Sequence, residues 1–297
     1  MRTTSLRVTT EPAAHAPAQV RAPLAPMQAE RIGDMAADAL LAELDTWPKP
    51  GLVSPVDNGS HDDMDYGTFQ RSIGALRPFY AELATAGAAG DGMDVLRRIG
   101  VEAEAAMLTA TGGVNTHRGA IFALGLLCAA AGAADAEPSP PSAARLSRLV
   151  GTRWGHEIMR GPIPLNSHGS GALRRFGAGG ARAEAASGFL HARRIGLPAL
   201  RAGRALAGEE AGRVHAFFAL LAEMEDTNLL HRGGADGLMD ARHAARDFLE
   251  AGGVGQGNWL DHAIAVHRQF VARRLSPGGS ADLLAVTVFL DRIEAAP

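Results

Sequence analysis

A continuous apolar stretch, Ala120 to Ala131, does most to limit what this chain can fold into. It is entered through the run Thr111-Gly112-Gly113-Val114-Asn115-Thr116-His117-Arg118-Gly119. An apolar run of this length with no polar face reads as a buried helix at the centre of the molecule. Gly-Gly lets the backbone turn tightly and come close to a ligand. Asn115 and Thr116 are both suited to cap the helix that follows. His117 and Arg118 then fall on its first turn, where unpaired N–H groups and the helix dipole favour anions. A cationic helix start rooted in the core has the composition of a site for a phosphorylated ligand. Taken alone, it reads more simply as an ordinary capped helix.

The rest of the chain supplies helices to surround that stretch. Ile32, Met35, Ala36, Ala39, Leu40 and Leu44 recur at helical spacing over 28–46, and Pro48 and Pro50 stop that helix. The 17-residue segment Lys49 to Asp65 is too long for a plain connector, and loops of that length are often functional. Helical spacing resumes at Phe69, Ile73, Leu76, Tyr80 and Leu83, with a kink expected at Pro78. Further helices are predicted over 94–110, 116–131, 143–159, 181–194, 198–206, 209–225, 236–251, 258–274 and 281–294, with Ala133 to Ser142 a surface linker. Alanine is abundant and favours helices, and no alternating strand pattern occurs. The fold is therefore predicted to be all-α: a single-domain multi-helix bundle around a central apolar helix, spanning 28–297. Residues 1–27, rich in Thr, Ala and Pro without periodicity, are predicted to be a disordered N-terminal tail.

Composition excludes several functions. The 297 residues carry a net charge of −3, which gives nucleic-acid binding no electrostatic support. The single cysteine, Cys128, excludes an internal disulfide framework and reads as a small core residue. No membrane span and no secretion signal are evident, so the expected location is cytoplasmic.

Five polar clusters lie in Gly/Pro-rich loops or at helix starts. The first is Pro48-Lys49-Pro50-Gly51 with Asp57, Asn58, Gly59, Ser60, His61, Asp62, Asp63 and Asp65, whose acidic end suits Mg²⁺ shared with substrate phosphates or is simply solvated. The second is Arg98, Glu102 and Glu104 around Gly100. The third is the opening run, including Gly113. The fourth is Asp226-Thr227-Asn228 with His231-Arg232-Gly233-Gly234. The fifth is Ser276-Pro277-Gly278-Gly279-Ser280-Ala281-Asp282-Leu283-Leu284, where Ser280 is expected to cap the last helix and Asp282 to complement its dipole. A weaker sixth is Ser167-His168-Gly169 with Arg182 and Glu184. Several helix starts bearing Gly, Asp, Asn and Arg suit the grip on a polyphosphate. With no Walker-type loop, no Rossmann pattern and no Cys/His metal spacing, a nucleotide must be held another way.

Five segments drawn from these clusters, in this order, resemble the triphosphoribosyl-dephospho-CoA synthases that serve citrate lyase and malonate decarboxylase. They are Lys49-Pro50-Gly51-Leu52-Val53, Gly59-Ser60-His61-Asp62-Asp63-Met64, Thr111 to Gly119 with Ala120-Ile121-Phe122, Asp226-Thr227-Asn228, and Ser276 to Leu284. The resemblance runs from about residue 30 to about residue 294. One departure is Arg118, where many members carry lysine; arginine keeps the charge and can grip phosphate bidentately. The resemblance implies an all-helical enzyme that joins ATP, as substrate, to 3′-dephospho-CoA and releases adenine. The product is the precursor of the prosthetic group of an acyl-carrier subunit, which a separate transferase attaches.

Such a reaction is a glycosyl transfer with oxocarbenium character at the ribose. The residues expected to carry it are Asp62, Glu104, His117 and Asp226 as catalytic groups. Asp62, Asp226 and Asp282 are the expected Mg²⁺ ligands. Lys49, Gly51, His61, Gly113, Asn115, Thr116, Arg118, Asn228, Arg232, Gly278, Gly279 and Ser280 are the expected substrate and phosphate contacts. The alanine-rich surface leaves room for a homodimer. Two readings stand behind this one: a helical HD-like metal phosphohydrolase using His61-Asp62, and a helical nucleotide-binding or scaffold protein without chemistry.

Overall fold

The computed structural model of the protein describes residues 24–135, 140–162, 171 and 174–295. The regular elements among them are helical: α1 (Pro26–Leu44), α2 (Tyr66–Ala89), α3 (Met93–Ala110), α4 (Arg118–Asp135), α5 (Ala143–Arg153), α6 (Gly155–Arg160), α7 (Gly180–Ala186), α8 (Leu197–Ala207), α9 (Glu209–Glu223), α10 (Thr227–Glu250), α11 (Trp259–Ala272) and α12 (Gly278–Ala295). The all-α expectation holds.

The centre is α4. Between Ala120 and Ala134 every residue except Phe122 is buried. The helix is long and apolar enough to cross a membrane, but here other helices cover it, as in the core of a globular bundle. Its nearest neighbour is α2, and small residues set how near. A Cβ added to Gly87 of α2 would lie 1.9 Å from the Ala129 carbonyl oxygen, and one added to Gly132 of α4 would lie 1.9 Å from that of Ala84. The two backbones touch because neither position carries a side chain. On the other side of α2, α1 packs with Gly33 against Ala81. The C-terminal α12 returns into the core against α1, α4 and α9, and one hydrophobic cluster joins residues from Leu24 to Ile293.

Element boundaries moved where local chemistry overrode periodicity. Residues 1–23 of the expected tail lie outside the described residues, but the tail does not extend to 27. Leu24 is buried and α1 begins at Pro26, a residue whose fixed φ suits the first helical position. Through Pro78, α2 runs as one helix; the proline is on the exposed face, beside exposed Gly74, whose freed carbonyl can turn to water. The expected 143–159 helix divides at Trp154. The expected 181–194 helix ends early: α7 stops at Ala186, Phe189 has a φ of 55°, and a π turn at Ala192–Gly196 leads into α8. The helix expected from 236 begins nine residues sooner, at Thr227, with a break at Gly234 (φ 64°, ψ −161°).

Candidate active site

The start of α12 is where the sequence motifs meet. Ser276 Oγ lies 2.8 Å from His61 Nε2, which belongs to the first motif. Ser280 donates through both its N–H and its hydroxyl to Asp226 Oδ2, at 2.8 and 3.0 Å, in the fourth. Asp282 accepts the backbone N–H of Ala120, just past the third. Glu104 of the second motif holds Arg118 of the third, whose Nε donates at 2.7 Å. These contacts enclose a cavity of about 900 Å³. That is near the upper end of the usual range for ligand sites, with room for more than one small ligand. It is lined by Lys49, His61, Glu104, Asn115, Thr116, His117, Arg118, Asn228, Arg232, Gly278, Gly279 and Asp282 among the expected site residues.

The cavity floor is buried and ionisable. Lys49 is 1 % exposed and its ammonium donates to Glu43, on the last turn of α1. Burial lowers the lysine's pKa and raises the glutamate's, while their mutual attraction opposes both shifts. The sequence reading missed Glu43. The signal was present, because Glu43 continues the apolar stripe Ile32–Ala36–Leu40 of α1, where a charge is out of place.

The opening run does not form a cationic helix start. Its glycines first serve to end α3: Gly112 has a φ of 68°, and the Gly113 N–H returns to the Leu108 carbonyl at 2.7 Å. Asn115 caps α4 by accepting the Arg118 N–H at 3.1 Å, whereas Thr116 instead donates to Ser72 Oγ at 2.8 Å. The Ser72 hydroxyl is 2.7 Å from His117 Nδ1. Since Ser72 accepts from Thr116, its own proton is free for Nδ1, which leaves the hydrogen of His117 on Nε2. That Nε2 has no hydrogen-bond partner among the described residues. Burial, with Lys49 nearby, pushes the His117 pKa down to about 3, so the ring is neutral. Arg118 is half-exposed at the rim and neutralised by Glu104.

Other expected residues are placed elsewhere. Asp62 is 79 % exposed, paired with Arg274 at 3.0 Å, and does not line the cavity; its neighbour Asp63 does. Asp226 is fully buried and accepts four hydrogen bonds, adding the N–H groups of Asn228 and Leu229 at 2.9 and 3.3 Å to those from Ser280. Gly51 is buried behind the wall, its N–H 3.3 Å from His267 Nδ1. Arg232 reaches the cavity, but it also clamps the first loop by donating to the carbonyls of Ser60 and Arg274 at 3.1 and 3.2 Å. Ser167-His168-Gly169 lies outside the described residues. Arg182 donates to the Met159 and Gly161 carbonyls at the end of α6, and Glu184 accepts the His191 N–H.

The three carboxylates expected to share Mg²⁺ do not form a cage. One is on the surface, one is saturated by four donors, and among the described residues no three His, Cys, Asp or Glu side chains group to hold a metal ion. The same geometry weakens the phosphohydrolase reading. His61 bonds Ser276 inside, while Asp62 points to Arg274 outside, so they do not act as paired ligands.

The described fold is all-helical, its sequence motifs meet at one cavity, and the family match makes the protein a transferase. Residues 29–297 match the family described as ATP:dephospho-CoA triphosphoribosyl transferase, and the chain belongs to that family. A relative from Stutzerimonas stutzeri (strain A1501), named probable 2-(5''-triphosphoribosyl)-3'-dephosphocoenzyme-A synthase, is 42 % identical over 282 residues, covering 92 % of this chain and 94 % of the relative. Relatives of the same name from Acinetobacter calcoaceticus and Pseudomonas fluorescens (strain Pf0-1) are 39 % and 43 % identical, each covering 90 % of this chain and 92 % of the relative. No solved structure matches the chain.

Proposed function

We propose that the protein joins the ribose of ATP to the 2′-hydroxyl of 3′-dephospho-CoA and releases adenine, giving 2′-(5″-triphosphoribosyl)-3′-dephospho-CoA. The observation that carries this reading is the convergence of the five motifs on one cavity. The floor supplies the buried carboxyl groups of Glu43 and Asp282, which suit the proton transfers of a glycosyl exchange. The mouth supplies Arg118, Arg232, Asn228 and the Gly278–Gly279 start of α12, which suit a triphosphate that must be held and not cleaved. Magnesium enters this reading as the counter-ion carried by ATP, shared with the phosphates and not caged by the protein.

The product then serves an acyl-carrier subunit, that of malonate decarboxylase or citrate lyase, after a separate transferase loads it. Incubation with ATP, Mg²⁺ and dephospho-CoA is expected to release free adenine in step with a product of mass equal to both substrates less adenine. ADP or AMP as the only nucleotide product, or no product, overturns the assignment. Adding each carrier subunit with its transferase identifies the client.

A further inference from the structure

Three carboxyl groups, Glu43, Asp226 and Asp282, lie near one another at the buried end of the cavity, and the ammonium of Lys49 is paired with Glu43. They are compensated very unequally. Asp226 takes four hydrogen bonds at the joined starts of α10 and α12. Glu43 takes the Lys49 ammonium. Asp282 has the backbone N–H of Ala120 beside it as its one stabilising donor among the described residues. Its carboxyl is wedged so closely against α4 that a Cβ on Gly119 would lie 2.0 Å from Oδ2. Unlike Asp226, it lines the cavity. A buried carboxyl with a single donor and two acidic neighbours keeps its proton, whereas the Lys49 ammonium bonded to Glu43 opposes the rise that burial imposes there and favours the carboxylate.

We propose that Asp282 is the acid of the transfer, giving its carboxyl proton to the departing adenine, and that Glu43, held ionised by Lys49, takes the proton of the attacking hydroxyl. This inference rests on the reaction proposed above. The bond between the ribose C1 and the purine N9 breaks with its electron pair leaving on the purine, which receives the Asp282 proton. The acceptor's 2′-oxygen forms the new bond to C1, and its proton passes to Glu43. Exchange with solvent after product release returns Asp282 to the acid and Glu43 to the carboxylate. Two carboxyls whose surroundings push their proton affinities apart divide acid and base roles in this way.

The charged and titratable groups around Asp282 are Glu43 of α1, Tyr80 of α2 and Asp226 before α10. Lys49 reaches the same floor through Glu43, and the neutral His117 stands beside it at the head of α4. Burial, with Glu43 and Asp226 nearby, holds Asp282 well above the ordinary carboxylate range.

The test compares ATP with 6-chloropurine riboside triphosphate, whose base leaves without needing a proton. For the unaltered enzyme, kcat with ATP is expected to fall on the alkaline side as Asp282 loses its proton. The chloropurine nucleotide should lack that decline, and the acid-side fall that reports Glu43 should persist with both. Asp282→Asn should bind ATP and dephospho-CoA within about threefold, lose on the order of 100-fold in kcat with ATP, and lose less than about tenfold with the chloropurine nucleotide. An alkaline decline common to both nucleotides overturns the inference even if the variant does not fold. So does an Asp282→Asn variant impaired equally on both. Absence of base release from either nucleotide by the unaltered enzyme overturns the reaction itself, which is a separate result.

Discussion

Asp226 Oδ2 accepts both the backbone N–H and the hydroxyl of Ser280, while its Oδ1 caps α10 through Asn228 and Leu229. One buried side chain thus fastens two helix starts to each other. Asp226→Ala leaves four donors unpaired in a buried place and is expected to cost about 3 kcal/mol or more. For a chain of this size that is a fall in Tm of about 5 °C. Asp226→Asn should also destabilise, because its amide would turn a donor toward Ser280. Thermal melts check this. A variant that melts like the parent but loses activity would make Asp226 a reacting group and not an anchor.

The α2–α4 crossing gives a packing prediction with its own control. Gly87→Ala or Gly132→Ala drives a methyl group into the opposing backbone, and the helices must separate. The expected cost is about 2–3 kcal/mol in chemical denaturation. Gly74→Ala, in the same α2 but exposed and with nothing within 4 Å of the new methyl, should instead gain up to about 1 kcal/mol. Equal effects at the three positions would remove close approach as the reason for these glycines.

His117 makes stability depend on pH. Its folded pKa of about 3 lies below the ordinary histidine value of 6.5, so above pH 6.5 both states are neutral and the group contributes nothing. Below that pH the unfolded chain takes a proton that the folded protein refuses, and stability falls until the pH nears 3. The loss is about 1.4 kcal/mol per pH unit, or about 2 kcal/mol between pH 6.5 and pH 5. His61 and His215, also lowered by burial, act in the same direction. His117→Gln should therefore remove part of the acid sensitivity and not all of it. Urea titrations at pH 7 and pH 5 read the difference; an unchanged acid loss in the variant would show that His117 is charged in the folded protein.

The helical pattern was legible because it rests on local spacing, and a common site for the motifs was expected only through their ordered resemblance to a family. The apolar face of α4 required a central helix, and the polar residues at helix starts required caps. What spacing did not convey was which cap faces inward. Asp62 and Asp63 are adjacent and chemically alike, but only the three-dimensional course of the loop sends the first to Arg274 and the second to the cavity. Asp226 and Asp282 looked equivalent as acids beside glycines; four donors on one and a single donor on the other come from contacts between α10, α12 and α4. Glu43 and Ser72 were hidden for a different reason. Both lie on helix stripes that periodicity assigns to the core, where a polar residue is easily passed over as tolerated.

Arg118 and Glu104 separate rim recognition from chemistry. The pair is partly exposed, so Arg118→Ala should change stability by less than about 1 kcal/mol. If Arg118 grips the triphosphate, the same variant should weaken ATP binding by about tenfold, and the loss should shrink as salt rises. Arg118→Lys keeps the charge but not the two-pronged grip, and should recover only part of the affinity. Glu104 holds the arginine in place and leaves the proton transfers to the floor, so Glu104→Gln should move the KM for ATP while kcat stays within about threefold. A kcat loss of about 100-fold or more in Glu104→Gln, with KM unchanged, would return the base to the rim and take it from Glu43.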